Sequence, residues 1–481
     1  MKLSSNHQNF SKTLCLVIST LAILLPACQP GSKDSGSAEP SKPNIIFILA
    51  DDLGYGDLGC YGQEKIKTPN LDKLASQGIT FTQHYAGSTV CAPSRASLMT
   101  GYHTGHTVVR GNRPMKPEGQ YPMPDSTVTV AELLKDAGYV TGAMGKWGLG
   151  GPGSTGDPVN QGFDLFFGYN CQREAHFFYP EHLWRNTEKV ILPENAGGKK
   201  EIYSHDLIAE EALNFIKGNN DKPFFLYIPF TIPHAELAVP ENSLNEYKGK
   251  FPEEPFPGAH YGAQEFPKAA YAGMVSRMDA DIGRIMELLD ELNLSENTLV
   301  IFTSDNGPHH EGGNDPDFFD SNGPLRGIKR DLYEGGIRVP FIARWTGKIK
   351  PETETSHISA FWDLLPTACE IAGTEAPENI DGISYLPAML GKEQKVHDYL
   401  YWEFLEQGGK QAVRKGDWKA VRLNVRKNPG NPIELYNLSS DTGEENNIAD
   451  KNPEIVKMMG DIMEKARFED TLWTFIPSQL K

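Results

Sequence analysis

The stretch NIIFILADD, Asn44 to Asp52, joins six consecutive apolar residues to two aspartates. An uninterrupted apolar run of this length reads as a strand buried on both faces, the kind that lies in a parallel sheet between two layers of helices. Phe224 to Phe230, Thr298 to Thr303 and Val339 to Trp345 repeat the pattern. Helical signals fall between them. Thr129 and Glu132 make a capping box that opens a helix closed by Gly138, and Asn70 and Gly78 bracket another. From about Tyr271 to Leu292, Val275, Met278, Ile282, Ile285 and Leu289 recur at three- and four-residue steps, which predicts a helix with one buried stripe and with Arg277, Asp279 and Asp281 facing solvent. Strands alternating with helices predict an α/β fold, a large mainly parallel sheet sandwiched by helices.

The chain has 481 residues, 39% hydrophobic and 23% charged. Disorder and coiled coil are excluded, and because a single core rarely exceeds ~300 residues, one large domain with a smaller unit is expected. The pattern changes after Gly391: Tyr399 to Phe404, Asp417 to Leu423 and Ile433 to Leu438 precede a helical pattern near Ile455 to Arg467. This predicts a small C-terminal antiparallel sheet plus helix over 391–481, after a main domain over 43–390. The net charge of −17, with no basic run, argues against nucleic acid and a polybasic membrane patch, so an anionic substrate must meet a local basic pocket.

Lys2 and Lys12 precede an apolar stretch, Leu14 to Leu25, that is short for a membrane span and reads as an export signal over residues 1–27. It ends in Leu25-Pro26-Ala27-Cys28, which resembles a bacterial lipoprotein box with Cys28 as the acylated residue; an ordinary cleaved signal with an incidental cysteine is the alternative. Residues 28–42 are a polar Gly/Ser/Pro tether. The expectation is an exported, membrane-anchored lipoprotein, periplasmic or at the cell surface. The remaining cysteines, Cys60, Cys91, Cys171 and Cys369, are spaced neither as a zinc site nor as a disulfide framework, which leaves a single disulfide among them open.

In open α/β sheets the ligand crevice lies beyond the carboxyl ends of the strands. The first run ends on Asp51-Asp52, the third continues into Asp305-Asn306, and the second is followed by His234. Either acidic pair alone reads equally well as a turn or helix cap. Together, three carboxylates and an amide oxygen call for a hard divalent cation, Ca²⁺ or Mg²⁺. Cys91-Ala92-Pro93-Ser94-Arg95 reads as a helix start facing an anion, with Arg95 one turn on and able to reach back to Cys91 or the anion; a buried packing cysteine is the alternative.

These residues resemble the sulfatases of the alkaline-phosphatase-like superfamily, bacterial arylsulfatases among them, whose signature C-x-P-S-R is matched by CAPSR at 91–95. The likeness continues through PNIIFILADDLGYGDLGCYG from residue 43, GKWGLG at 145–150, TSDNG at 303–307 and LRGIKRDLYEGGIRVP at 325–340. It implies that Cys91 is oxidised to formylglycine by a formylglycine-generating enzyme and that its hydrate attacks sulfur, with the second hydroxyl later expelling sulfate. It further implies that Asp51, Asp52, Asp305, Asn306 and modified Cys91 hold calcium, with Mg²⁺ possible, and that Arg95, Lys146, His234 and Lys329 hold the formylglycine or the sulfate. Asp305 then serves as base and His234 as proton donor to the leaving oxygen.

Many family members read GKWHLG, with a histidine that takes the proton releasing sulfate, whereas this chain has Gly148. Candidates for its part are His176, His309, His310 or a water held by Lys146; each histidine reads equally as lining the cleft or capping a turn. The aromatic segment Asn170 to Asn186, with Arg173 and His176, reads as a pocket wall for a sulfated saccharide or as a loop pinned by its aromatics, and Asp305 to Glu311 as a source of further sugar contacts. The expected substrate is a galactose or amino-sugar sulfate attacked from the chain end. Two other functions fit the sequence: a phosphoester or phosphonate hydrolase of the same superfamily, and an inactive lipoprotein that binds sulfated glycan.

Overall fold

The computed structural model describes residues 42–476; the signal, Cys28 and the tether up to residue 41 lie outside the described residues. Eleven of the described strands form one sheet: β1 (Asn44–Ala50), β2 (Ile79–Tyr85), β3 (Val140–Lys146), β4 (Leu165–Tyr169), β5 (His182–Arg185), β6 (Glu188–Ile191), β7 (Phe224–Pro229), β8 (Thr298–Ser304), β9 (Arg338–Arg344), β10 (Thr353–Thr355) and β11 (Ser359–Ala360). Their order is β10-β2-β9-β8-β1-β7-β3-β4-β5-β6, with β11 also on β2. The central block β8-β1-β7-β3-β4 is parallel. Antiparallel strands flank it, β9 on one side and the β5–β6 hairpin on the other.

Side-chain alternation along β1 sorts the core into two layers. Ile46, Ile48 and Ala50 pack with Leu71 and Leu74 of the helix Pro69–Ser76, Ile208 and Ala212 of Ser204–Gly218, and Met274 and Met278 of Pro267–Glu291. Ile45, Phe47 and Leu49 face Ala96 and Met99 of Cys91–Thr100, Val130 and Leu134 of Val130–Asp136, and Leu365 and Ala368 of Leu364–Ala372. The Thr129–Glu132 capping box is present.

The long helix departs from its expected polar face. Asp279 and Asp281 are buried, because each satisfies another element. Asp279 accepts from the Asn70 and Leu71 backbone amides at 3.1 and 2.7 Å and so caps the helix Pro69–Ser76. Asp281 receives His205 Nε2 at 3.0 Å, and half-buried Arg277 forks onto Asp206.

The second sheet runs antiparallel in chain order through β12 (Leu400–Phe404), β13 (Lys410–Lys415), β14 (Trp418–Leu423) and β15 (Ile433–Asn437). Met459 and Met463 of the helix Pro453–Lys465 cover one face. Trp402, Ala412 and Val421 pack the other face against Tyr85, Val90 and Trp362 of the large domain. Buried Lys419 donates to Glu334 at 2.8 Å, and Trp473 returns to the large domain through Nε1 to Val108 O. Cys60, Cys91, Cys171 and Cys369 are all free. No helix among the described residues is long and apolar enough to cross a membrane.

Candidate active site

β1 and β8 pair in parallel register, Ala50 opposite Ser304, so their polar ends emerge side by side. Asp52 adopts φ +64°, a left-handed conformation that aspartate tolerates and that lets two successive carboxylates enter one cleft instead of alternating across a strand. Asp51, Asp52, Asp305 and Asn306 are all buried. Asp305 Oδ1 accepts the Asp52 amide at 3.1 Å, and Asn306 Nδ2 donates to Asp52 Oδ1 at 2.7 Å. The first turn of the helix Cys91–Thr100 abuts this cluster: Cys91 Sγ lies 3.7 Å from Asp51 Oδ1 and 3.3 Å from Lys146 Nζ.

The rest of the signature is explained by what it holds. Ser94 Oγ donates to Asp305 O at 2.6 Å and accepts the Gly87 amide. Arg95 does not reach back to Cys91; its guanidinium forks onto Asp305 Oδ2 through Nε and Nη2 at 3.2 and 2.8 Å, and Nη1 donates to Lys146 O at 2.5 Å. An extended arginine there fixes the end of β8 and the end of β3 together. Lys146 donates to Asp51 Oδ2 and Lys329 to Asp52 Oδ2, each at 2.6 Å.

These contacts set the charges. At Asp51 burial opposes ionisation most, yet Lys146 first and then Arg95 bring its carboxyl down to about 2. Burial likewise opposes Asp52, and Lys329 leads the groups that hold it at about 2. Asp305 goes the other way, to about 7, because burial and the charges of Asp51 and Asp52 outweigh Arg95. Burial pushes the Cys91 thiol up to about 12. Lys329 stays an ammonium: burial alone would lower it, and Asp52 raises it well above its usual range.

Lys329 Nζ also lies 2.9 Å from His234 Nε2, while His234 Nδ1 contacts Ala235 O. Nε2 is therefore the acceptor and Nδ1 carries the proton. Burial first, then Lys329 and His176, push this imidazole well below its usual range, so it is neutral. The His176 ring stacks on His234 with centroids 4.4 Å apart and planes at 12°, and burial, Lys146 and Lys329 bring it to about 3.

The family profile described as Sulfatase matches residues 43–374, well over half of the chain. The chain belongs to the sulfatase family. A second profile, N-sulphoglucosamine sulphohydrolase, C-terminal, matches residues 328–469 of this sulfatase and takes in the small sheet. It is 31% identical to an N-acetylgalactosamine-6-O-sulfatase of Bacteroides thetaiotaomicron, with 96% of this chain and 99% of that protein covered. It is 33% identical to human arylsulfatase A, covering 93% and 92% of the two chains. Its structure is similar to that of Ps i-CgsB in complex with k-i-k-neocarrahexaose: TM-score 0.77, 29% identity, 91% of this chain and 96% of that one covered.

The sulfatase's other candidate residues divide. His309 is buried and both ring nitrogens are committed, Nε2 to Pro233 O and Nδ1 to the Glu311 amide, each at 3.1 Å; it is a structural strut, not a sugar contact. His310 is exposed and turned to a separate surface depression with Phe256 and Lys268. Arg173 is exposed, with no side-chain hydrogen bond or ion pair among the described residues. Of the three histidines, His176 alone keeps a free ring nitrogen beside the cluster. The aromatic segment does hold regular structure, a 3₁₀ turn at Glu174–His176 followed by β5, the first strand of the β5–β6 hairpin.

Three contributors, Tyr261, His260 and Asn112, carry no local sequence signal, and Glu311 ends the segment read above as a source of sugar contacts. Tyr261 and His260 come from an irregular loop and place their rings 5.7 and 6.4 Å from that of His176. Asn112 Oδ1 accepts the Ala92 amide at 3.2 Å, next to Cys91. Glu311 approaches Lys329 at 3.6 Å while paired with Arg330 at 2.5 Å.

Proposed function

We propose that this sulfatase is an exported, lipid-anchored enzyme that releases sulfate from a sulfated saccharide, using a formylglycine made from Cys91 and a divalent cation, Ca²⁺ with Mg²⁺ as the alternative. The observation that carries the reading is the Cys91 sulfur within 4 Å of both Asp51 Oδ1 and Lys146 Nζ in a buried acidic cluster. The saccharide is supported by the relatives, one named for N-acetylgalactosamine-6-O-sulfatase activity and one seen with a neocarrahexaose. Anchoring rests on the sequence around Cys28.

The acidic residues suit a hard cation. They present oxygen alone, and Asn306 Oδ1 is a buried acceptor without a partner among the described residues, since Nδ2 is committed to Asp52 and Gly307. Asp51, Asp52, Asp305 and Asn306, with an oxygen on residue 91, would hold the ion, which supplies positive charge to the ester oxygens. Arg95, Lys146 and Lys329 already offset three carboxylates, so a divalent ion leaves the pocket with net positive charge. An anionic ester answers that excess, whatever the overall charge of the chain.

A thiol pushed up to about 12 is a weak nucleophile at neutral pH, whereas a hydrated aldehyde at position 91 supplies one hydroxyl for attack and a second for release. Maturation therefore makes a formylglycine-generating enzyme a necessary partner. Lys146 and Lys329 bind the sulfate oxygens as charge grows on them. Arg95 keeps Asp305 placed as the base for the attacking hydroxyl. The proton for the leaving oxygen belongs to the Lys329–His234 pair, where the ammonium donates to Nε2.

The test is sulfate release by protein coexpressed with a formylglycine-generating enzyme, on galactose and N-acetylgalactosamine 4- and 6-sulfates, on sulfated oligosaccharides and on 4-nitrophenyl sulfate. The reading expects saccharide substrates to be preferred. Activity confined to the aryl ester would sink it.

A further inference from the structure

Gly148 follows Lys146 by two residues and has φ +79°; a Cβ built there would lie 1.8 Å from Gln172 Nε2. The Gln172 carboxamide thus stands in the space that any side chain at 148 would need. Gln172 is 6% exposed and Asn170 fully buried, yet neither the oxygen nor the nitrogen of either amide has a hydrogen-bond partner among the described residues. His176 Nδ1 is in the same state. All three sit on one short segment. It begins where Asn170 O accepts the Gly148 amide at 3.1 Å and ends where His176 lies flat on His234.

Buried polar groups are ordinarily satisfied, so five unpartnered atoms gathered on one short segment that runs from Gly148 to His234 mark a place for a polar ligand. Two carboxamides offer donors and acceptors in equal number, and the imidazole nitrogen adds one more group, donor or acceptor by tautomer. No net charge is present, so the set does not suit a second sulfate. It suits vicinal hydroxyls, each of which donates and accepts. A carboxamide cannot take up a proton near neutrality, so the space at position 148 serves recognition here and not proton transfer.

We propose that Asn170, Gln172 and His176 form a hydroxyl-reading subsite for the sugar next to the sulfated carbon, with Gln172 as the specificity-determining residue and Gly148 as the gap that admits it. This rests on the sulfated-saccharide reading above. A site built to hydrogen-bond a hydroxyl rejects an analogue lacking it by as much as ~10⁴–10⁵-fold, because its own polar groups are left unpaired. The subsite therefore separates saccharide sulfates from aryl sulfates.

Gln172→Leu in the matured, metal-loaded enzyme tests this with the best saccharide sulfate of the panel beside 4-nitrophenyl sulfate. The expected result is a fall of at least a hundredfold in kcat/KM for the saccharide and a change within threefold for the aryl ester. Gly148→Ala displaces the same amide and is expected to show that selectivity loss. Calorimetric binding of the saccharide sulfate to a Cys91→Ala background gives a readout apart from turnover, and Gln172→Leu is expected to weaken it at least tenfold. Equal losses on both substrates, or none on either, overturn the proposal. An absence of sulfate release from every substrate by the parent enzyme instead refutes the functional reading beneath it.

Discussion

Replacing Arg95 with methionine keeps most of the side-chain volume and removes the buried fork on Asp305. Asp305 then faces Asp51 and Asp52 with no guanidinium, and the Lys146 carbonyl loses its donor. Breaking a buried pair by deleting one partner costs about 3–5 kcal/mol, equivalent to roughly 10²–10⁴ in the folding equilibrium. The loss depends on pH. Asp305 is already raised to about 7 with Arg95 present, so without it the carboxyl keeps its proton to still higher pH; it is neutral at pH 5 and the penalty shrinks there. Urea unfolding in excess EDTA at pH 8 and at pH 5 measures this, and the deficit of Arg95→Met is expected to be larger at pH 8. Ca²⁺ at a hundredfold its Kd should add about 2.7 kcal/mol to the parent. A deficit below about 1 kcal/mol at pH 8 with kcat/KM within threefold of the parent would refute the claim that this arginine holds the acidic cluster in place.

Further outcomes follow from other parts of the molecule. His84 is wedged beside Phe341 with its Nε2 unpartnered, and burial brings it to about 3, so the unfolded chain binds a proton between about pH 3 and 6.5 that the folded chain does not. Stability is therefore lost as pH falls through that window, by about 1.4 kcal/mol per pH unit from this residue, and His84→Gln should reduce the measured slope by that amount. Asp279→Ala leaves the Asn70 and Leu71 amides uncapped and should cost about 1–3 kcal/mol in urea unfolding with kcat unchanged. Cys28→Ser should abolish incorporation of labelled palmitate and move the protein from the membrane to the soluble fraction.

The parts of this architecture that sequence reveals are those written locally. β1, β7 and β8 are unbroken apolar runs, and their polar ends announced the cleft because parallel register brings like ends together. Strands that fail that test stayed hidden: β2 carries Thr80, Thr82, Gln83 and His84, and β3 carries Gly142 and Gly145. β13, in the middle of the small sheet, includes Lys410 and Gln411, which are buried because Lys410 donates to Arg330 O and Gln411 to Met463 O. The long helix starts at Pro267, earlier than its stripe suggests, because Glu253 accepts the Lys268 and Ala269 amides from a distant loop. At the active site, ligand-type residues at strand ends were legible, whereas Tyr261 and Asn112 arrive by tertiary packing alone. His309 read as a sugar contact from its neighbours, and its ring does lie 5.7 Å from that of His234, but both its nitrogens are committed to Pro233 O and the Glu311 amide.

The central claim is that position 91 acts as an aldehyde hydrate. Mass spectrometry of the peptide containing Cys91, from protein made with and without a formylglycine-generating enzyme, tests it when read beside sulfate release from the same samples. Conversion of thiol to aldehyde lowers the peptide mass by about 18 Da, and specific activity is expected to rise in proportion to the converted fraction, from near zero in unconverted protein. Full sulfate release by protein whose residue 91 is still a thiol would contradict the account.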